Sequence, residues 1–197
     1  MPTEYEFKYA ISLDLLRQHP EDQLRVLASS LIHIKQGYLA FSKGMSCRVR
    51  CSTEWGKDKW YMTFKQKAAK RVVEIEKKLD ERDGNDLWEV AVGKLNKDRH
   101  LFPHEGITWE LDLFKNDGQV YFILAEIELK EGSPRPKLMP SFLRNHLIYE
   151  VPLTDDRFSN KRLGDVNHAK QLYKEILAIG DKDVNTNPNP EEVPQDL

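Results

Sequence analysis

Apolar and polar residues alternate along much of this chain with a period of two, the repeat of a β-strand whose successive side chains point to opposite faces. In seven segments the polar member of the alternation is ionic: Glu4/Glu6/Lys8, Arg48/Arg50, Lys65/Lys67, Glu74/Glu76, Lys97/Arg99, Glu110/Asp112 and Glu126/Glu128. The residues between them are apolar in most segments, as in Tyr5/Phe7/Tyr9, Cys47/Val49/Cys51, Phe64, Val73/Ile75, Leu111/Leu113 and Ala125/Ile127/Leu129. Each segment therefore predicts a strand with one charged face and one face that seeks burial.

Three stretches carry helical spacing instead. Pro20 to Ser30 places Leu24, Val26, Leu27 and Leu31 near one side, and Pro136 to Leu147 is a second candidate. The strongest runs from about Asp165 to Ile179, with Val166, Ala169, Leu172, Tyr173, Ile176 and Leu177 on one face, Asp165 placed to cap the start and Gly180 the end. Beyond Gly180 the composition turns to Asn, Pro and acids with little to bury, so residues 1–180 are expected to form one domain and 181–197 a disordered acidic tail.

An isolated strand with charges on alternate positions is ordinarily a half-exposed antiparallel strand. Seven of them, with paired acids and paired bases in place of the usual Thr, Ser and Gln, suggest a shared destination. The expected fold is α+β: a closed antiparallel β-barrel of about eight strands, its ionic faces turned into a charged tunnel and its apolar faces covered by helices on the outside. Charges held away from water cost several kcal/mol each unless they are paired or bind something. Acid–base pairing across the lumen offsets part of that cost, and a bound polyanion with metal ions offsets more.

Composition narrows the guest. The chain's 197 residues suffice for one full core, and 30 Lys plus Arg against 32 Asp plus Glu leave a net charge of −2, which argues against duplex nucleic acid or an anionic membrane as partner. No segment approaches the roughly 20 apolar residues of a membrane span, the N-terminus has no apolar leader, and a cytoplasmic location is expected. Cys47 and Cys51 lack metal-site spacing and read as reduced thiols, and the six histidines follow no strand-face pattern. No Ser/His/Asp order or Gly-rich phosphate loop stands out. The basic set (Lys8, Arg48, Arg50, Lys65, Lys67, Lys97 and Arg99) exceeds what a single carboxylate ligand needs, and guanidinium forks match phosphate oxygens, so a chain of phosphates suits it. The acidic set suits a hard divalent cation such as Mg²⁺ or Mn²⁺.

Taken in order, the segments resemble a known family. Glu4-x-Glu6-x-Lys8 is followed by Gln36-Gly37-Tyr38-Leu39, Arg48-Val49-Arg50, Thr63-Phe64-Lys65, Glu74-Ile75-Glu76, Lys97-Asp98-Arg99, Glu110-Leu111-Asp112-Leu113-Phe114, Ala125-Glu126-Ile127-Glu128-Leu129 and Thr154-x-x-Arg157-Phe158-x-Asn160-x-x-Leu163. This series is similar to the CYTH superfamily of triphosphate tunnel metalloenzymes, and its Gln-Gly-Tyr-Leu segment looks most like the short bacterial-type inorganic triphosphatases. The resemblance implies that Glu4, Glu6, Glu126 and Glu128 ligate Mg²⁺ or Mn²⁺. It implies that Lys8, Arg48, Arg50, Lys65, Lys97 and Arg99 grip phosphates, and that Glu74, Glu76, Glu110 and Asp112, with Lys8, make up the catalytic group that orients bases or water. The chain departs from the family pattern in the extra residue of Arg71-Val72-Val73-Glu74, in Phe158 where tyrosine is frequent, and around Glu150-Val151-Pro152-Leu153. The expected activity is metal-dependent hydrolysis of a small-molecule triphosphate, inorganic tripolyphosphate first. A class IV adenylate cyclase, a thiamine triphosphatase, an RNA 5′-triphosphatase and a non-catalytic polyphosphate-binding module are the alternatives.

Overall fold

The computed structural model describes residues 4–68, 72–130 and 132–185, and the side chains of residues 5–68, 72–130 and 132–179. In chain order the elements are β1 (Glu4–Ile11), α1 (Leu15–Gln18), α2 (Glu21–Leu27), β2 (Ser30–Ser42), β3 (Met45–Glu54), β4 (Lys57–Lys67), β5 (Val72–Leu79), α3 (Glu81–Val90), β6 (Val92–His104), β7 (Ile107–Asn116), β8 (Gln119–Lys130), α4 (Ser141–Arg144), β9 (Leu147–Val151), a 3-10 turn (Asp156–Phe158), α5 (Asn160–Leu163) and α6 (Val166–Asn185).

All nine strands join one antiparallel sheet in the order β5-β4-β3-β2-β6-β7-β8-β1-β9. Three hairpins turn on a residue–glycine pair with positive φ at both positions: Trp55-Gly56, Glu105-Gly106 and Asp117-Gly118. Two central residues of this kind match the right-handed twist of the flanking strands and fix their register. The outermost strands β5 and β9 do not pair with each other among the described residues. The antiparallel sheet of the expected α+β fold is thus present with nine strands, and among the described residues no hydrogen-bonded seam closes it into a barrel. Within Pro136 to Leu147, where a helix was expected, only Ser141–Arg144 is helical, and a ninth strand, Leu147–Val151, begins at its end.

The outer face behaves as the alternation predicts over most of its area. Phe7, Tyr9, Ile11, Trp109, Leu111, Leu113, Ile123, Ala125 and Ile127 are buried with Leu15, Leu24 and Leu143 from the short helices α1, α2 and α4. Val49, Cys51 and Trp60 form a second outer cluster with Ala91, against which Leu87 and Trp88 of α3 pack. In α2 only Leu24 is buried, Val26 and Leu27 being exposed. Strand β5 is uncovered: Val72 and Ile75 are exposed on it.

The concave face changes character along each strand. On β1, β6, β7 and β8 the positions next to the charged ones on the same face are Ala10, Leu95, Phe114 and the pair Phe122/Leu124, and these are buried with Phe158, Leu163, Ala169, Leu172 and Ile176. Helix α6 therefore packs into one end of the concave face, with Ala169, Leu172 and Ile176 of its expected apolar face at 0–2% exposure, Val166 and Tyr173 partly buried and Leu177 exposed. It runs to Asn185, through Gly180. An interior glycine costs a helix only about 1 kcal/mol, so the expected stop does not occur; residues 186–197 of the expected tail lie outside the described residues. No helix among the described residues is long and apolar enough to cross a membrane.

Candidate functional site

The charged end of the concave face encloses a cavity of about 480 Å³. Its wall is built from eight consecutive strands of the sheet: Glu6 and Lys8 (β1), Tyr38 (β2), Arg48 and Arg50 (β3), Lys65 (β4), Glu74 and Glu76 (β5), Arg99 (β6), Glu110 (β7), Glu126 and Glu128 (β8), with Ser159 and Asn160 at the start of α5. The strand alternation thus brings eleven of the sequence-predicted residues to one chamber.

The remaining predicted residues lie elsewhere. Lys97 and Asp112 are wholly buried and bonded to each other beneath the chamber wall, where Lys97 also donates to Asn160 Oδ1 at 3.0 Å and stands over the Phe114 ring. They support the wall and do not line it. Lys67 is exposed at the end of β4. Glu4 opens β1 opposite Lys130, with its side chain outside those described, and Arg71 lies outside the described residues.

The chamber is electrostatically two-sided. Its acidic wall, on β7, β8 and β1, sets like charges directly opposite each other: Glu110 faces Glu126, and Glu6 faces Glu128. Opposed like charges on neighbouring strands repel, and two cations bridge them. Arg99 binds Glu110, Asp112 (2.7 Å) and Glu126 (2.9 Å), while Lys8 binds Glu126 (2.5 Å) and Glu6 (3.0 Å). Burial alone would discharge both bases, but these carboxylates outweigh it and raise both above their ordinary values. Burial and the neighbouring Glu6 push the Glu126 carboxyl up, and burial pushes Glu110 up. Asp112 goes the other way: its burial is outweighed by Lys97 and Arg99, which hold it well below the usual carboxylate range.

The basic wall lies on β3 and β4. Lys65 shares an ion pair of 3.0 Å with Glu74 on the opposite strand. Arg50 has no carboxylate partner among the described residues; its Nε and Nη2 both donate to Gln36 Oε1, at 3.0 and 2.9 Å. Burial, then the neighbouring Arg48 and Arg99, lowers the Arg50 guanidinium to about 10. Arg48 Nε is buried without a hydrogen-bond partner among the described residues. Half-buried cations lacking a paired carboxylate make a site that favours an anion.

Metal binding can be tested against the donor set. Among the described residues no three acidic, His or Cys side chains converge to hold an ion, and Lys8 and Arg99 are paired with Glu6, Glu110 and Glu126. The donors themselves, carboxylate oxygens in repelling cross-strand pairs, have the chemistry of a hard divalent cation site.

Gln36, Tyr38, Thr63, Ser159 and Asn160 are site components that the charge alternation missed. Strand β2 presents the uncharged Gln36 and Tyr38 on its concave face, so a rule built on paired charges passes over it. The signal available was the Gln36-Gly37-Tyr38 triplet: a Cβ on Gly37 would lie 2.7 Å from Ala91 Cβ, so the outward glycine admits the α3 junction while its neighbours turn inward.

Residues 2–158 match the model of the CYTH domain. The chain belongs to the CYTH family. Within it, the chain is 32% identical to an inorganic triphosphatase from Acetivibrio thermocellus over 136 residues, which cover 66% of this chain and 77% of that relative. The solved hypothetical protein NE1496 shares the fold at a TM-score of 0.52 and 22% identity, covering 82% of this chain and 97% of that one. The CYTH assignment bears out the resemblance drawn from the ordered strand motifs.

Proposed function

We propose that this CYTH protein hydrolyses a triphosphate, inorganic tripolyphosphate first, inside the charged chamber, and that the curled sheet acts as the tunnel wall without a hydrogen-bonded seam. The observation that carries the reading is the two-sided chamber, with anion-seeking arginines on β3 facing repelling carboxylate pairs on β1, β7 and β8. The name of the Acetivibrio relative supports the same substrate class.

In this reading Arg48, Arg50 and Lys65 hold the phosphates, and Lys8 and Arg99 neutralise charge on the leaving group. Water attacks the terminal phosphorus as the bond to the bridging oxygen breaks; the water's proton passes to a chamber carboxylate, and pyrophosphate leaves. Glu76, fixed by Thr63 Oγ1 at 3.0 Å, and Glu74 and Glu110 orient that water and the bases. Glu6, Glu126 and Glu128, with Glu4, would hold Mg²⁺ or Mn²⁺, which when bound supplies charge neutralisation and an acidified water. A cytoplasmic location goes with this chemistry.

The test is a panel of tripolyphosphate, ATP, thiamine triphosphate and RNA 5′-triphosphate ends with Mg²⁺ or Mn²⁺, with phosphate and cyclic AMP read separately. Phosphate release from tripolyphosphate above the others is expected. Cyclic AMP from ATP would move the protein to the cyclase branch, and tight binding without turnover would make it a binding module.

A further inference from the structure

The chamber treats its two inner arginines in opposite ways. Arg99 is surrounded by the carboxylates of Glu110, Asp112 and Glu126, so its charge is spent within the wall. Arg50 is held by two hydrogen bonds as well, but its acceptor is the neutral amide oxygen of Gln36. Gln36 is itself at 0% exposure, and its amide nitrogen donates to the Tyr38 hydroxyl at 3.2 Å, which fixes the orientation of the amide. An arginine can only donate, so the Gln36 oxygen must face it.

We propose that Gln36 is a positioning residue that aims Arg50 while leaving its charge uncancelled, and that this neutral clamp makes the β2–β3 wall the principal anchorage for the substrate's phosphates. The inference rests on the triphosphatase reading and deepens it. A carboxylate in the same place would hold Arg50 equally well and cancel it, as Asp112 does for Arg99. A neutral acceptor leaves a cation that is half-buried, oriented and short of an anion, beside Arg48, whose Nε lacks a partner among the described residues. The lowered basicity of Arg50, set by its burial and by Arg48 and Arg99, agrees with a charge awaiting a counter-ion.

The near-isosteric Gln36→Glu tests this, because the proposal sets stability and binding in opposition. Calorimetric titration with tripolyphosphate in chelator and a thermal melt are run on the full chain, wild type and variant, with Gln36→Met as the second variant. Gln36→Glu should melt no lower than wild type, since it pairs a half-buried cation with a carboxylate, yet bind tripolyphosphate at least tenfold more weakly. Gln36→Met keeps the charge and frees the fork, so it should lose both affinity and melting temperature. Unchanged tripolyphosphate affinity in Gln36→Glu overturns the proposal. So does a parallel fall of affinity and melting temperature in that variant, which would mark Gln36 as merely structural. A wild-type protein that neither binds nor hydrolyses tripolyphosphate would overturn the triphosphatase reading itself, and this inference with it.

Discussion

Removing the Asp112 carboxylate should cost stability well before it touches chemistry. Asp112 and Lys97 are both wholly buried, and Asp112→Ala leaves the Lys97 ammonium, over the Phe114 ring, with Asn160 Oδ1 as its one hydrogen-bond acceptor among the described residues, whereas Arg99 keeps Glu110 and Glu126. Breaking a buried ion pair from one side typically costs about 3–5 kcal/mol, because the remaining charge is left uncompensated. In a domain of this size each kcal/mol moves the melting temperature by roughly 2–4 °C, so a fall on the order of 10 °C is expected. Urea unfolding and thermal melts at neutral pH read both quantities. Adding Lys97→Met removes the stranded charge and fills its space, and should restore most of the loss. A loss below about 1 kcal/mol for Asp112→Ala, far under the buried-pair range, would refute the reasoning. A double variant no more stable than the single one would refute it as well.

Three further outcomes follow from the same contacts. Glu6→Gln should abolish metal-dependent phosphate release while the melting temperature stays near wild type; unaltered turnover would remove Glu6 from the metal site. Arg50→Ala deletes a charged phosphate ligand worth about 1.5–3 kcal/mol, which is roughly 10- to 100-fold in affinity, and an unchanged dissociation constant for tripolyphosphate would show that the guanidinium does not meet the substrate. Because the Asp112 carboxyl is depressed in the folded state, its contribution is fully present above the unfolded value of about 3.9 and is lost as the pH falls through the folded value. The stability gap between wild type and Asp112→Asn should therefore be flat at neutral pH and shrink only below about pH 4; a gap that already closes near pH 6 would contradict the ion pair.

The strands were legible because their code is local. A period of two assigns faces without knowledge of the partner strand, and Glu6, Lys8, Arg48, Arg50, Lys65, Arg99 and Glu126 followed from it to one chamber. Depth along the strand was not legible: Lys97 alternates with Arg99 just as Lys8 does with Glu6, yet lies where α5 and α6 cover the concave face. Helix α3 was missed because Glu81–Val90 is polar and contains Gly84. That glycine suits a contact distant in sequence, since a Cβ there would lie 2.4 Å from the Trp60 indole. The ninth strand was hidden for a related reason: Leu147–Val151 gains its definition only by pairing with Lys8–Ile11.

The apolar packing that fills one end of the concave face has a chemical consequence. With Phe114, Phe122 and Leu124 packed against the last helix, that end of the concave face is filled by apolar side chains. A phosphate chain that reached that end would meet hydrocarbon in place of the water and cations it needs, so the charged end alone can receive it.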